Sequence, residues 1–361
     1  MDAGAAQPAQ PFRIQTAAGA SRFAWAAACC ILLVLALLPA FAARNLIQDL
    51  IFPFYMLALA QCWNLLAGYA GLISVGQQAF VGLGGYLLFA LTLPGGINPL
   101  LAIPIAGVVS AIFALPTALI VFRLRGAYFA IGSWVVAEVY RLVFAQFKAL
   151  GGGTGTSLPP SVTSTMPGIE WVKSLLNVRT PAARDIISYW VALALMAVTL
   201  ALVYLVLRSR RGLALGAIRD QEAAAASLGV DIYRVKLAVY VATGALTGMI
   251  GALIYLQKAR ISPDAAFSVL DWTAYVIFIV VIGGIGTMEG PAVGTVIFYL
   301  LQRNLADFGA WYLILLGTLG ILVMLFAPRG LWGFIADRYA LTFFPTRRRL
   351  VVHARDPTTP G

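Results

Sequence analysis

The chain has 361 residues, of which 61% are hydrophobic and 11% charged, and its net charge is +11. An ordinary soluble domain is roughly 45–50% apolar and about 25% charged, so a soluble fold could not bury this much apolar surface. Its basic residues cluster at the ends of apolar runs and do not interleave with aromatic residues on a polar face, which argues against a nucleic-acid partner.

Apolar runs of about 20 residues, the length that crosses roughly 30 Å of hydrocarbon, recur along nearly the whole sequence. These runs do not alternate as barrel strands do, so the sequence predicts an all-α, polytopic bundle of transmembrane helices that contacts membrane lipid over residues 23–335. The predicted spans are, in chain order, Phe23–Ala43, Ile47–Ala67, Tyr69–Leu93, Ile97–Phe122, Gly126–Phe147, Ile186–Leu207, Lys236–Gln257, Trp272–Leu301 and Trp311–Ala327.

Residues 1–22 are rich in Ala, Gln and Pro, and we expect a disordered cytoplasmic leader there. The end of the first span, Pro39–Ala42, also resembles the small-residue cleavage site of a secretory signal. An uncleaved anchor and a cleaved signal both remain open. The start of another span within a few residues favours the anchor.

Lys and Arg concentrate on the cytoplasmic side of membrane proteins, and this rule predicts the orientation. It places both termini and the loop 208–235 in the cytoplasm, and the loop 148–185 in the periplasm. The basic tail, 336–361, is then cytoplasmic. The arginines assigned to the cytoplasm are Arg13, Arg22, Arg123, Arg125, Arg208, Arg210, Arg211, Arg219, Arg234, Arg347, Arg348 and Arg349.

The segment Trp272–Leu301 cannot be a single crossing in this orientation, because one crossing would place the arginine-rich tail outside. The stretch Val281–Pro291 interrupts its apolar run with four glycines and a proline. Glycine permits unusual backbone angles, and proline suits the first turn of a new helix. The sequence therefore predicts a glycine-broken helix pair, with 8 spans if the pair is re-entrant and 10 if both helices cross.

No pattern indicates an enzyme, a metal site or a cofactor in this chain. There is no Ser/His/Asp set and no Gly-Lys-Ser/Thr sequence of a nucleotide-binding loop. The three cysteines lie inside apolar spans without the spacing of a metal site. Glu138 lies deep within a predicted span, with Arg141 one helical turn later. A structural ion pair is favoured over an ion-coupling site, which suggests an energy source outside the chain.

Glycine-broken helices in two parts of a transporter indicate the transport path. Such breaks occur near Gly284 and over residues 68–85, where the uncharged polar side chains suit a neutral or zwitterionic solute. Close helix packing explains the glycines equally well, including those at 244, 248, 251, 286, 290 and 294. The candidate path residues are Gly71, Ser74, Gln77, Gln78, Phe80, Gly283, Gly284 and Glu289.

The loop 208–235 contains an Ala-rich, charged stretch, Gly212–Val230. This composition predicts a short helix outside the membrane, with Gly229 as its C-terminal cap. The helix is either a surface hairpin or an element that docks into a groove on a partner.

Together these motifs resemble the permeases of the branched-chain amino acid ABC importers, specifically the LivM-like subunit. The resemblance covers roughly residues 45–335, with the motifs in the family's order. The matching motifs are Asn64–Gly71, Ser74–Gln77, Ala79–Phe80, Leu124–Ile131, Glu138–Arg141, Arg219–Gly229, Gly283–Thr287, Gly290–Pro291 and Pro328–Leu331.

The resemblance implies translocation of branched-chain or related small amino acids across a bacterial inner membrane. It implies as partners a second, LivH-like permease subunit, two ATP-binding cassette subunits that bind the ATP, and a periplasmic substrate-binding protein. Many relatives have His where Gln77 stands, and Gly132-Ser133-Trp134 differs from the usual Thr-Leu, so a urea or amide permease remains an alternative. An autonomous channel or secondary carrier is the alternative from another class. The implied ATPase-coupling residues are Arg219, Asp220, Glu222, Ala223, Ala224 and Gly229.

Overall fold

A computed structural model describes residues 12–15, 19–164, 166–339, 343–344 and 349–352. Within them, four short strands form two antiparallel pairs, β1 Phe12–Gln15 with β4 Arg349–Val352, and β2 Thr156–Ser157 with β3 Arg260–Ile261. The helices are α1 Gly19–Leu37, α2 Arg44–Asn64, α3 Gln77–Thr92, α4 Pro99–Val121, α5 Ala127–Ala145, α6 Pro160–Ser164, α7 Ile169–Leu176, α8 Thr180–Arg208, α9 Arg210–Asp220, α10 Glu222–Ser227, α11 Ile232–Lys258, α12 Pro263–Ala266, α13 Tyr275–Gly283, α14 Gly290–Leu305, α15 Ala310–Phe326 and α16 Gly330–Tyr339.

Seven helical segments in the described part of the chain are long and apolar enough to cross a membrane. Three shorter segments, Trp25–Ala40, α3 and α14, bring the total to ten, the larger of the two numbers that the sequence allows. The chain is therefore a multi-pass membrane protein, and the predicted helical bundle is confirmed. The seven long segments are Arg44–Tyr69, Pro99–Val121, Ala127–Ala145, Thr180–Arg208, Ile232–Lys258, Pro263–Gly283 and Trp311–Ala336.

The connections between the helices collect at two ends of the bundle. At one, which we call the Asp185 end, the Asp185 carboxylate accepts hydrogen bonds from Arg44 Nε at 2.6 Å and from Gln48 Nε2 at 2.8 Å. At the other, the Arg219 end, the loop between α8 and α11 lies beside the turn between α13 and α14. Loops that the sequence places on opposite sides of the membrane thus lie at opposite ends.

The predicted break in Trp272–Leu301 is confirmed, because α13 and α14 form an antiparallel hairpin. A Cβ on Gly294 would overlap the carbonyl oxygen of Ile279, so the two backbones touch there. Further along the hairpin, the rings of Tyr275 and Phe298 lie 5.0 Å apart. The helical segment Pro263–Gly283 is long enough to cross a membrane, and Arg303 near the end of α14 lies 3.8 Å from Asp49 of α2, which favours the ten-span alternative.

The predicted third span, Tyr69–Leu93, is wrong in its first part. A π-helical turn, Leu65–Tyr69, ends α2, and residues 70–76 are not helical before α3 begins at Gln77. Gly71 has φ +69°, which permits this change of direction. Residues 65–76 are named the linker segment below.

The structure describes parts of the predicted leader, the first span and the predicted tail. α1 begins at Gly19, earlier than the predicted start at Phe23. β1 belongs to the predicted leader and β4 to the predicted tail, so the two segments contact each other. The remaining parts of the predicted leader and tail, 1–11, 16–18, 340–342, 345–348 and 353–361, lie outside the described residues.

Close glycine packing holds α3 and α11 together in the core. A Cβ on Gly84 would overlap the carbonyl oxygen of Gly248, and one on Gly251 would overlap that of Val81. Glycine lets two backbones approach where any side chain would separate them. The packing explanation for the glycines at 248, 251, 290 and 294 is therefore confirmed.

Candidate functional site

Short hydrogen bonds fix the non-helical part of the linker segment against its neighbours. The indole nitrogen of Trp63 donates to the carbonyl oxygen of Ser74 at 2.8 Å. The backbone N–H of Val75 donates to the hydroxyl of Ser133 at 2.9 Å, and the Ser74 hydroxyl accepts from the N–H of Gly76 at 3.1 Å. Ser133 therefore anchors the segment to α5.

A small cavity lies between the linker segment, α3 and α11. Gln77 is 5% exposed, and its Nε2 donates to the carbonyl oxygen of Leu59 at 3.0 Å. The Oε1 of Gln77 has no hydrogen-bond partner, so an acceptor is available within a buried region. None of the described residues that line the cavity carries a charge. The lining residues are Cys62, Leu66, Ser74, Gly76, Gln77, Phe80, Tyr240, Thr243, Gly244 and Thr247.

The structure thus brings together three of the predicted path residues, Ser74, Gln77 and Phe80. Gln78 is not among the residues that line the cavity, and its Oε1 accepts a hydrogen bond from the Thr273 hydroxyl. That contact joins α3 to a second π-helical turn, Leu270–Ala274, which precedes α13. Gln78 therefore has a packing partner of its own.

Gly71 lines a second space, an open groove of ≈ 410 Å³ at the Arg219 end. The groove also contains Glu222 and Lys236, whose side chains form an ion pair. Arg125 and Tyr233 lie on its walls. A residue predicted for the solute path and one predicted for ATPase coupling thus share this groove.

The other predicted path residues, Gly283, Gly284 and Glu289, belong to the hairpin turn and do not line the cavity. Gly284 has φ +132°, a conformation that L side chains rarely adopt. Glu289 Oε1 accepts from the backbone N–H of Phe344 at 2.9 Å. These contacts fix the turn, and a part for it in solute passage stays a prediction.

Two buried amides of α2, which the sequence reasoning did not select as site residues, hold the hairpin turn. Asn64 Oδ1 accepts from the N–H of Gly286 at 2.8 Å, and its Nδ2 donates to the carbonyl oxygen of Thr287 at 2.8 Å. Gln61 Nε2 donates to the carbonyl oxygen of Met288 at 2.7 Å. The signal was present, since two amides one turn apart in an apolar run require partners.

The predicted single helix of the loop 208–235 is wrong, because α9 and α10 are separate helices divided at Gln221. The backbone of Gln221 is extended, with φ −162° and ψ 112°. The predicted cap is confirmed: Gly229 has φ +81°, its N–H donates to Ala226, and the next N–H, of Val230, donates to Ala225. This is the pattern of a Schellman cap.

The predicted coupling residues divide between two surroundings. The guanidinium of Arg219 lies 3.3 Å from the position that a Cβ on Gly286 would occupy, so it borders the hairpin turn. Asp220, Glu222, Ala223 and Ala224 are exposed or partly exposed. Among the predicted coupling residues, Arg219 therefore borders the bundle, and these four lie on the outer surface of the loop.

The predicted ion pair between Glu138 and Arg141 is confirmed, with Arg141 Nε 2.8 Å from Glu138 Oε1. Arg141 Nη1 also contacts Asp264 Oδ1 at 2.7 Å. Glu138 lies well inside α5, as predicted, and its side chain is 42% exposed, so it faces outward from the bundle. Within the described residues, no cluster of three or more His, Cys, Asp or Glu side chains could hold a metal ion.

Comparison with known proteins is consistent with this arrangement. The sequence profile of the family described as branched-chain amino acid transport system, permease component, matches residues 46–326. The chain belongs to this family. The matched range contains the linker segment, the loop with α9 and α10, and the α13–α14 hairpin.

Individual members of the permease family are also similar to this chain in sequence. A high-affinity branched-chain amino acid transport system permease protein LivM from Salmonella typhimurium is 31% identical over 281 residues, 74% of this chain and 65% of that relative. The LivM protein of Escherichia coli is 29% identical, with the same shares covered. A probable LivM of Methanocaldococcus jannaschii is 25% identical over 62% of this chain and 64% of the relative. The chain thus covers less than two thirds of these relatives' lengths, and no solved structure matches it.

Proposed function

We propose that the chain is the permease subunit of an ABC importer that moves branched-chain or related small amino acids across a bacterial inner membrane. Its termini face the cytoplasm in this proposal. Family membership supports the transport class. The observation that carries the solute class is the cavity beside Gln77, which is lined by neutral polar and apolar groups. Such a lining suits a zwitterion with an apolar side chain better than an ion.

The energy comes from separate ATP-binding cassette subunits, which bind the ATP. The loop with α9 and α10 is the coupling element, and its exposed surface is available to such a subunit. Arg219 supports this assignment, because the same loop contacts the hairpin turn through that residue. A displacement of α9 would therefore be transmitted to the turn and, through Asn64, to the central helix α2.

The remaining partners are a second, LivH-like permease subunit and a periplasmic substrate-binding protein. The cavity beside Gln77 is small, and the linker segment forms part of its wall. Passage of an amino acid then requires a second conformation, as in alternating access. The binding protein selects the solute before it reaches the permease.

The test uses the complete importer reconstituted in vesicles, with ATP hydrolysis and amino acid uptake measured together. Glu222→Gln removes the charge opposite Lys236, and Gly229→Ala strains the cap of α10. Both variants should reach the membrane but lose the stimulation of ATP hydrolysis by the loaded binding protein. Gly216→Ala is the matched control, because Gly216 lies in α9 and a Cβ there meets nothing within 4 Å.

Two results would contradict the proposal. Unchanged stimulation and uptake in the Glu222 and Gly229 variants would show that the loop is not the coupling element. Flux through vesicles that contain this chain alone, without nucleotide, would identify an autonomous channel or carrier.

A further inference from the structure

One face of α5 carries a stripe of outward-facing side chains at alternating spacings of three and four residues. Its members are Tyr128, Ile131, Val135, Glu138 and Leu142, and we call it the α5 stripe. Tyr128 is 74% exposed and Leu142 50%, so the stripe is open along most of the helix. This spacing keeps side chains on one side of a helix and is typical of a seam between two helices.

Glu138 lies near the middle of the α5 stripe and makes lipid an unsuitable cover. Its carboxylate accepts from Arg141, which also contacts Asp264 at 2.7 Å. One guanidinium thus serves two carboxylates, and the group keeps a net charge of −1. Charged groups within membrane helices are costly in hydrocarbon and are usually directed towards protein or water.

The neighbouring helix α4 shows what a lipid-facing surface looks like in this chain. Its exposed large side chains are all apolar, among them Leu101, Val108, Ile112 and Leu119. Its hydroxyls at Ser110 and Thr117 are buried instead. The outward face of α5 differs from this pattern at Glu138, in the part of the helix where α4 has only apolar groups outside.

We propose that the α5 stripe binds a transmembrane helix of a different permease chain, which places a hydrogen-bond donor or a cation against Glu138. The inference rests on the proposed function, because that chain is the second permease subunit of the importer. A second copy of this chain fits less well. Two-fold pairing brings the same patch of both copies together, so two groups of net charge −1 would face each other.

The test places a photo-crosslinking amino acid at Val135 of the stripe in the full importer in native membranes. The matched control carries it at Val108 of α4, which is exposed and apolar like Val135. We expect the Val135 probe to crosslink to the second permease subunit and the Val108 probe to label lipid. Crosslinking of Val135 to lipid alone, or to another copy of this chain, would overturn the proposal.

A second measurement examines Glu138 itself. Glu138→Ala should reduce recovery of the second permease on a tagged copy of this chain at least tenfold, and Glu138→Gln should restore part of it as a hydrogen-bond acceptor. Equal recovery in Glu138→Ala and the unmodified chain would exclude the charged contact.

Amino acid uptake measured in the same vesicles separates this inference from the proposed function. Uptake without a Val135 crosslink to the second permease overturns the interface alone. If Val135 crosslinks to the second permease but no amino acid uptake is measured, the proposed function is overturned and the proposed interface is not.

Discussion

Removing the Asn64 side chain should separate the hairpin turn from the central helix. Asn64 is fully buried, and Asn64→Ala deletes both the acceptor for the Gly286 N–H and the donor to the Thr287 carbonyl. At about 0.6 kcal/mol for an average hydrogen bond between membrane helices, two bonds contribute about 1 kcal/mol. Buried backbone groups without partners cost about 1–3 kcal/mol each. Because Ile285 in the same turn is exposed, water can reach the turn, and we expect a loss of about 2 kcal/mol.

The assay is equilibrium unfolding of the purified protein in mixed micelles, with the denaturing detergent increased stepwise. Asn304→Ala is the matched control, because Asn304 is exposed and donates only to the carbonyl oxygen of Leu300 in its own helix, at 2.7 Å. Gly68→Ala disturbs the Asn64 side chain sterically, since the added Cβ would lie 2.5 Å from Asn64 Oδ1. If Asn64→Ala were no more destabilising than Asn304→Ala, the reasoning about the turn would be refuted.

The remaining predictions concern packing, capping and the opposite end of the bundle. Gly294→Ala should destabilise the α13–α14 hairpin by about 1–3 kcal/mol through overpacking, whereas Gly317→Ala, which meets nothing within 4 Å, should be neutral or slightly stabilising in the same unfolding assay. Gly229→Ala places an L side chain at φ +81° and should destabilise the end of α10 by about 1–2 kcal/mol. The α10 amides should then exchange their hydrogens faster, whereas Gly216→Ala should leave that exchange unchanged. Asp185→Ala removes a carboxylate that is 10% exposed and bound by a guanidinium and an amide, so unfolding should be easier by about 2 kcal/mol. An unchanged midpoint would show that this end is fixed by apolar packing alone.

The parts of the fold that follow from length and charge could be predicted from the sequence. An apolar run must be long enough to cross hydrocarbon, and the distribution of arginines limits how many crossings there are. From these two constraints, the sequence alone predicts the break after Gly283. The cap at Gly229 could be predicted as well, because a local backbone requirement suffices for it.

The predictions that failed concern features that are determined by the surroundings of a segment and not by its own sequence. Residues 70–76 read as part of an apolar helix, yet non-helical backbone is tolerated at membrane depth where protein covers it. Here Trp63 and Ser133 supply the hydrogen bonds that a helix would have supplied. The partners of Asn64 lie more than 200 positions along the chain, and no local pattern identifies them. The outward face of Glu138 is likewise not given by hydropathy, which does not distinguish an inward from an outward face.

The predicted path residues lie in three places, a cavity, a groove and a turn. The linker segment, residues 65–76, contacts all three. Leu66 and Ser74 line the cavity, Gly71 lines the groove, and Gly68 packs against the turn at Gly286. A π-helical turn begins the segment, and such turns are frequent at functional sites. Any displacement of α9 that moves the turn must therefore also act on the segment that lines the cavity. This connection, rather than a shared lining, is the physical reason why residues so far apart in the bundle can belong to one transport cycle.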